Sequence, residues 1–241
     1  MPFAPPRFET YRSRIKHLRG SLEKPDILCK TFLLGRDGKL AVYYAPLTSM
    51  NPKARIIIVG LTPGWTQTKI AYERCRAELK RGSTDAQALK SVSRDAPFAG
   101  MRTRLCGWLD ALGVARWLDV DSSLTLFDAN RSMLQATSLI RYPVFVGESG
   151  ENYRGAGRRP INSDLLWSII DSVFAPQLDK LPDALVVPLG VAVAGALRDL
   201  GVPASRCLYG FPHPSGAYPY GQRDFLRDRS AMRKVVARLP K

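Results

Sequence analysis

Arg55-Ile56-Ile57-Ile58-Val59-Gly60 is a run of β-branched residues closed by glycine. Such side chains are stiff at χ1 and favour extended backbone. An apolar run that is continuous rather than alternating reads as a strand buried on both faces. Strands are also expected at Leu134 to Ile140, Ala184 to Leu189 and Arg206 to Phe211, with a peripheral one at Leu40 to Ala45. Helical spacing lies between them. Met101 to Leu112 places Leu105, Trp108, Leu109 and Leu112 on one side, and Val191 to Leu200 is closed by Gly201. Ser163 to Phe174 follows an Asn162-Ser163-Asp164 start signal. Gln222 to Leu239 buries Phe225, Met232, Val236 and Leu239, and turns Arg223, Arg227, Arg233 and Arg238 outward. This alternation predicts an α/β fold: a three-layer α/β/α arrangement around a central, mainly parallel four-stranded sheet. Residues 1–241 are expected to form one domain, with 1–50 as an N-terminal arm and peripheral elements.

The chain carries 36 Lys and Arg against 21 Asp and Glu, a net charge of +15 over 241 residues. That excess points to a polyanionic partner, because neutralising phosphates releases condensed counterions. The four cysteines, Cys29, Cys75, Cys106 and Cys207, form no C-x-x-C pair. Neither a metal site nor a disulfide framework is therefore expected. No apolar run has membrane-spanning length, and Met1 to Arg19 has no apolar core. The expectation is a cytoplasmic monomer with no membrane partner and no cofactor.

In a parallel sheet the ligand site forms beyond the carboxyl ends of the strands. Two stiff loops occupy such positions: Gly60-Leu61-Thr62-Pro63-Gly64-Trp65 and Phe211-Pro212-His213-Pro214-Ser215-Gly216. The first is neither G-x-x-x-x-G-K-[ST] nor G-x-G-x-x-G, which weakens nucleotide-hydrolase and dehydrogenase readings. His213 is one of two histidines, the other being His17. An imidazole held between prolines at a strand end can donate to a developing anion. Ser215 and Gly216 could offer hydroxyl and backbone donors to a phosphate.

Together these loops resemble the signature motifs of the uracil-DNA glycosylase superfamily. Gly60-Leu61-Thr62-Pro63-Gly64 looks like the first motif, nearest G-E-A-P-G of the iron–sulfur branch, and His213-Pro214-Ser215-Gly216 like the second. Ala96-Pro97-Phe98-Ala99-Gly100 is similar to that branch's P-F-x-G segment, and Thr137-Ser138-Leu139-Ile140-Arg141-Tyr142-Pro143 to its T-N-V-V-K-x-R-P strand end. The resemblance covers roughly residues 55 to 240 and implies an enzyme that flips uracil, or another deaminated base, out of DNA and hydrolyses its glycosidic bond. It implies base contacts from Gly60, Leu61, Phe98 and Ser138, with Phe98 stacking on the base. His213 would stabilise the departing base, and Thr62 would stand where many members position water. Pro63, Gly64, Ser215 and Gly216 would press on the DNA, Tyr218 and Tyr220 would fill the vacated gap, and Arg223 would grip phosphate. Arg154, Arg158, Arg159 and Arg227 are further phosphate candidates.

This sequence departs from the pattern. Thr62 cannot ionise, Ser138 offers one hydroxyl where Asn offers both donor and acceptor, and the four cluster cysteines are missing. Glu148 and Asp95 are alternative water-orienting groups. No lysine is placed in the pocket, so cleavage of the DNA strand is not expected. Two rivals stay open: a non-catalytic or lesion-sensing DNA-binding protein on the same fold, and an α/β enzyme acting on a nucleotide or small molecule.

Overall fold

In the computed structural model, which describes residues 2–47, 50–155 and 161–240, the Ile56–Gly60 run lies at the centre of a parallel sheet. The helices in chain order are α1 (Phe8–His17), α2 (Lys24–Ile27), α3 (Trp65–Lys80), α4 (Asp85–Asp95), α5 (Arg102–Leu112), α6 (Val114–Leu118), α7 (Asp164–Ile169), α8 (Ala175–Asp179), α9 (Val191–Asp199) and α10 (Gly221–Ala237). The strands are β1 (Leu33–Asp37), β2 (Leu40–Tyr43), β3 (Ile56–Gly60), β4 (Leu134–Ser138), β5 (Val144–Val146), β6 (Glu151–Asn152) and β7 (Leu185–Pro188).

Strand β3 pairs in parallel with β4 on one side and β7 on the other. No residue from Ile56 to Val59 is more than 2% exposed. Successive side chains of a strand point to opposite faces, and here they enter two separate cores. Ile57, Val59 and Val186 pack with Ala71 and Tyr72 of α3, Leu166 of α7 and Leu197 of α9. Ile56, Ile58, Leu134, Leu185 and Val187 pack with Leu105 and Leu109 of α5 and Phe225 and Met232 of α10. The chain is thus mixed α/β, with helices on both faces of a parallel sheet.

The central sheet differs from the expected four strands. Among the described residues it has three, in the order β4-β3-β7. The segment from Arg206 to Phe211 contributes a single parallel bridge, Cys207 to Val186. Local bonds divert the rest of it. Arg206 donates to the carbonyls of Leu181 and Ala184, and the Tyr209 and Phe211 amides turn back to Cys207 and Leu208. A separate antiparallel sheet, β1-β2-β5-β6, includes the anticipated peripheral strand as β2.

The first 50 residues pack inward more than an arm would. Helix α1 buries Phe8, Tyr11 and Ile15, Tyr11 stacks on Tyr44 with centroids 3.9 Å apart, and Arg12 pairs with Asp85 at 2.6 Å. The patterned helices form as α5, α7, α9 and α10, except that Ile170–Phe174 continues α7 as one π-helical turn. No helix among the described residues is long and apolar enough to cross a membrane.

Because Ile58 is wholly buried against α5 and α10, its truncation leaves a cavity the sheet cannot close. Ile58→Ala is expected to lower unfolding free energy by about 2–5 kcal/mol, seen as a lower urea midpoint with an unchanged slope.

Candidate functional site

The parallel register brings the carboxyl ends of the strands together: Gly60 lies beside Ser138, and Val59 beside Pro188. The segments that follow stay coupled through main-chain bonds. Leu139 and Ile140 donate to Gly60 and Leu61, Leu189 donates to Val59, and Gly190 donates to Phe211. The two sequence motifs therefore meet on one edge of the sheet.

Gly60 is the contact point. A methyl group there would lie 3.3 Å from the Phe98 ring and 3.3 Å from the Ser138 hydroxyl oxygen, so its lack of a side chain lets both approach. Phe98 and Ser138 line a small cavity of about 40 Å³ with Pro63, Gln67, Thr137 and Arg141. That space holds little more than one water, so a ring could enter only if the walls part. Among the described residues no Asp or Glu lines the cavity.

Phe98 is buried, yet its backbone is left-handed, with φ +55°. A non-glycine residue there is strained and persists only where its surroundings fix it. Arg102, at the start of α5, supplies the fixing. Its guanidinium donates to the carbonyls of Pro97, Arg94 and Asp95 at 2.7–3.0 Å and lies 4.6 Å from the Phe127 ring centroid. Phe127 in turn meets the Phe98 ring edge-on at 6.4 Å. Sequence reasoning missed Arg102, because nothing local says that its partners are carbonyls.

His213 stands against the end of the neighbouring strand. Gly190, just beyond β7, has φ +94° and ψ 172°, a conformation open essentially only to glycine. A Cβ on it would lie 3.4 Å from the His213 Cβ. The imidazole Nδ1 accepts the Ser215 amide hydrogen at 3.2 Å. An accepting Nδ1 is unprotonated, so the neutral ring carries its proton on Nε2 as a donor. Burial holds the His213 pKa below its ordinary value of 6.5, which favours that neutral form. Phe211 anchors the turn in an aromatic cluster with Trp108 and Phe225.

The remaining candidates fall into different positions. Thr62 braces the site: its hydroxyl donates to the Tyr142 carbonyl at 2.9 Å and accepts from the Val144 amide at 3.1 Å. One lone pair is left for water. Pro63 is buried and lines the cavity, so it meets what enters there rather than a strand crossing the surface. Gly64 faces Asn152, whose carbonyl oxygen accepts the Trp65 amide and so caps α3. Leu61 packs against the core from a half-buried position. Gly216 is exposed and Ser215 half-buried, and Arg104 donates to the Ser215 carbonyl at 3.2 Å.

Tyr218 donates its phenol hydrogen to Asp224. Tyr220 is 54% exposed, and the Arg223 guanidinium carbon sits 4.5 Å from its ring centroid. Arg223 also pairs with Asp224, and Arg227 with Asp224 and Asp228. Both guanidiniums are exposed, but the Asp224 carboxylate they share is buried, so these pairs are only partly in water. Arg158 and Arg159 lie outside the described residues. Asp95 is paired with Arg74 and Arg94, and Glu148 is on an exposed turn between β5 and β6, so neither lines the cavity.

No protein-family model matches the chain, and no solved structure does. A Bacillus subtilis (strain 168) protein described as "Uncharacterized protein YoxB" is 32% identical over 233 residues, covering 94% of this chain and 90% of that protein.

A side chain at Gly190 would meet both its own backbone and His213. Gly190→Ala is expected to cost about 1–3 kcal/mol of stability, measurable by chemical denaturation.

Proposed function

The chain belongs to the family of the Bacillus subtilis protein YoxB, and for it we propose a DNA glycosylase activity that releases uracil or a related deaminated base from DNA. The observation that carries this reading is the approach of Phe98 and Ser138, which line one cavity, to Gly60 behind them, with the His213 turn outside that lining on the adjoining strand end. These residues come from segments far apart in the chain, and each belongs to a motif that resembles the uracil-DNA glycosylase superfamily. The net charge of +15 suits a phosphate-backed substrate.

A base within a duplex is out of reach and must be extruded, at a cost of a few kcal/mol. Phe98 supplies the apolar face on which the extruded ring stacks. Tyr220 and Arg223, beside the His213 turn, suit the vacated gap and a flanking phosphate better than Tyr218, whose phenol is engaged. Cleavage breaks the bond between C1′ and the base nitrogen, and the electron pair leaves with the base. Water then bonds to C1′ and gives up a proton, and the base finally takes one up. His213 contributes a neutral Nε2–H donor to the anion as it forms. With no carboxylate at the cavity, the route relies on uracil being a good leaving group.

The lack of a carboxylate also favours one rival, a lesion-sensing protein that binds the flipped base without cutting. Single-lesion oligonucleotides, single- and double-stranded, separate the two. Release of free base is expected, and tight lesion-specific binding without release would establish the sensor instead.

His213→Ala is expected to slow single-turnover release by about 100- to 1,000-fold, the range for loss of one preorganised donor. A loss below about tenfold, 1.4 kcal/mol, would remove His213 from that role. The required form is neutral, and its folded pKa lies below 6.5. The rate should therefore be level above pH 6.5 with respect to this group and fall as pH drops through the lowered value. Protonated Nδ1 would point a hydrogen at the Ser215 amide and break that bond. In His213→Ala this limb is expected to vanish.

A further inference from the structure

Three half-buried arginines lie near the cavity; Arg131 and Arg141 each have a buried Nε without a partner, but of the three only Arg141 makes no hydrogen bond among the described residues. Arg102 is held by the main-chain carbonyls of Pro97, Arg94 and Asp95. Arg131 donates to the carbonyls of Leu134 and Ser93 at 2.6 and 2.8 Å. Arg141 lines the cavity itself, yet among the described residues it makes no hydrogen bond and no ion pair. Its Nε is fully buried without a partner. Burial pulls its pKa down from the ordinary arginine value, and no carboxylate opposes that shift.

A guanidinium carries five N–H donors and no acceptor. Only the Arg141 Nε is buried without a partner, and its half-buried terminal nitrogens are met by solvent, so a group that displaces that solvent must bring acceptors. The rest of the cavity narrows the choice. Phe98, Pro63 and Pro97 provide flat apolar walls that suit a planar ring. Ser138 adds one hydroxyl, which makes no hydrogen bond among the described residues.

We propose that Arg141 is the residue that selects the base, accepting rings whose edge presents carbonyl oxygens and rejecting those that present an exocyclic amine. This rests on the base-pocket reading above and names the device that sorts substrates there. Uracil offers carbonyl oxygen where cytosine offers an amino group. Against Arg141, the first completes a hydrogen bond and the second sets N–H against N–H. The same contrast separates hypoxanthine from adenine. After bond scission, the cation also faces the base anion. A neutral amide, with a donor and an acceptor, would discriminate less by charge.

The test uses the full-length chain and two readouts. In equilibrium dialysis with labelled free bases, uracil is expected to bind at least about tenfold tighter than cytosine, the lower end for one well-placed polar contact to a base. Arg141→Gln should bring the two within about threefold, while Arg141→Lys, which keeps charge and donors, should retain most of the preference. Both variants are checked for folding by circular dichroism. An unchanged uracil-to-cytosine ratio in folded Arg141→Gln overturns the proposal, as does a wild-type protein that binds both bases equally or neither. The second readout is release of base from uracil-containing oligonucleotides. Wild-type rates in Arg141→Gln would overturn the role of Arg141 and leave the glycosylase reading standing. Preference for free uracil that depends on Arg141, with no release from any lesion, would keep this inference and remove the glycosylase reading. Should Arg141→Gln not fold, folded Arg141→Met takes its place at neutral pH: loss of the uracil preference there supports the proposal, and an unchanged preference overturns it.

Discussion

The site depends on one strand being dry on both sides. Ile56 to Val59 present alternate side chains to two cores, and neither core can move without disturbing the other. Apolar burial drives this, and close packing makes it rigid. The carboxyl end of β3 is thereby held in register with its neighbours β4 and β7. Gly60, Ser138 and the turn after Pro188 inherit that precision, and main-chain bonds from Leu139 to Gly60 and from Gly190 to Phe211 extend it past the strand ends.

On this fixed edge, absent side chains and main-chain carbonyls do most of the positioning. Gly60 leaves room for Phe98 and Ser138, and Gly190 leaves room for His213 in a backbone conformation other residues avoid. Arg102 holds the strained Phe98 turn by binding three consecutive-turn carbonyls, and Thr62 ties the β3 turn to the Tyr142–Val144 segment. The rigidity has a functional reading. Under the proposed function, a pocket discriminating between rings that differ by one polar group would need walls that do not adapt. The turn from Ser215 to Tyr220 is largely exposed, lines none of this cavity and is held by bonds from Arg104 to the Ser215 carbonyl and from Tyr218 to Asp224.

Charge is distributed unevenly between surface and pocket. On the surface, arginines such as Arg223 and Arg227 are matched by Asp224 and Asp228. In the cavity, Arg141 has no acid beside it among the described residues. Two cations of the same type are thus held differently, one kind in ion pairs and the other with no hydrogen bond among the described residues.

Much of this was legible in the order of residues. A continuous β-branched run announces a doubly buried strand, and helical spacing announces α5, α9 and α10. The stiff loops at Gly60 and Phe211 were identifiable because glycine and proline restrict backbone locally. Helix α3 was harder to see, because its buried stripe of Thr68, Ala71, Tyr72, Cys75 and Leu79 is small or polar rather than strongly apolar. Helix α4 carries a local sign in its sequence, the Thr84–Gln87 capping box. What only the tertiary structure decided was partnership across long separations. It set whether 206–211 completes a strand or turns back, that Thr62 braces rather than stands free, that Pro63 faces inward, and that Arg102 is satisfied while Arg141 is not. Local sequence constrains torsion angles and which face is greasy. Which distant carbonyl, ring or carboxylate meets a given side chain is fixed only when the sheet register brings their strands side by side.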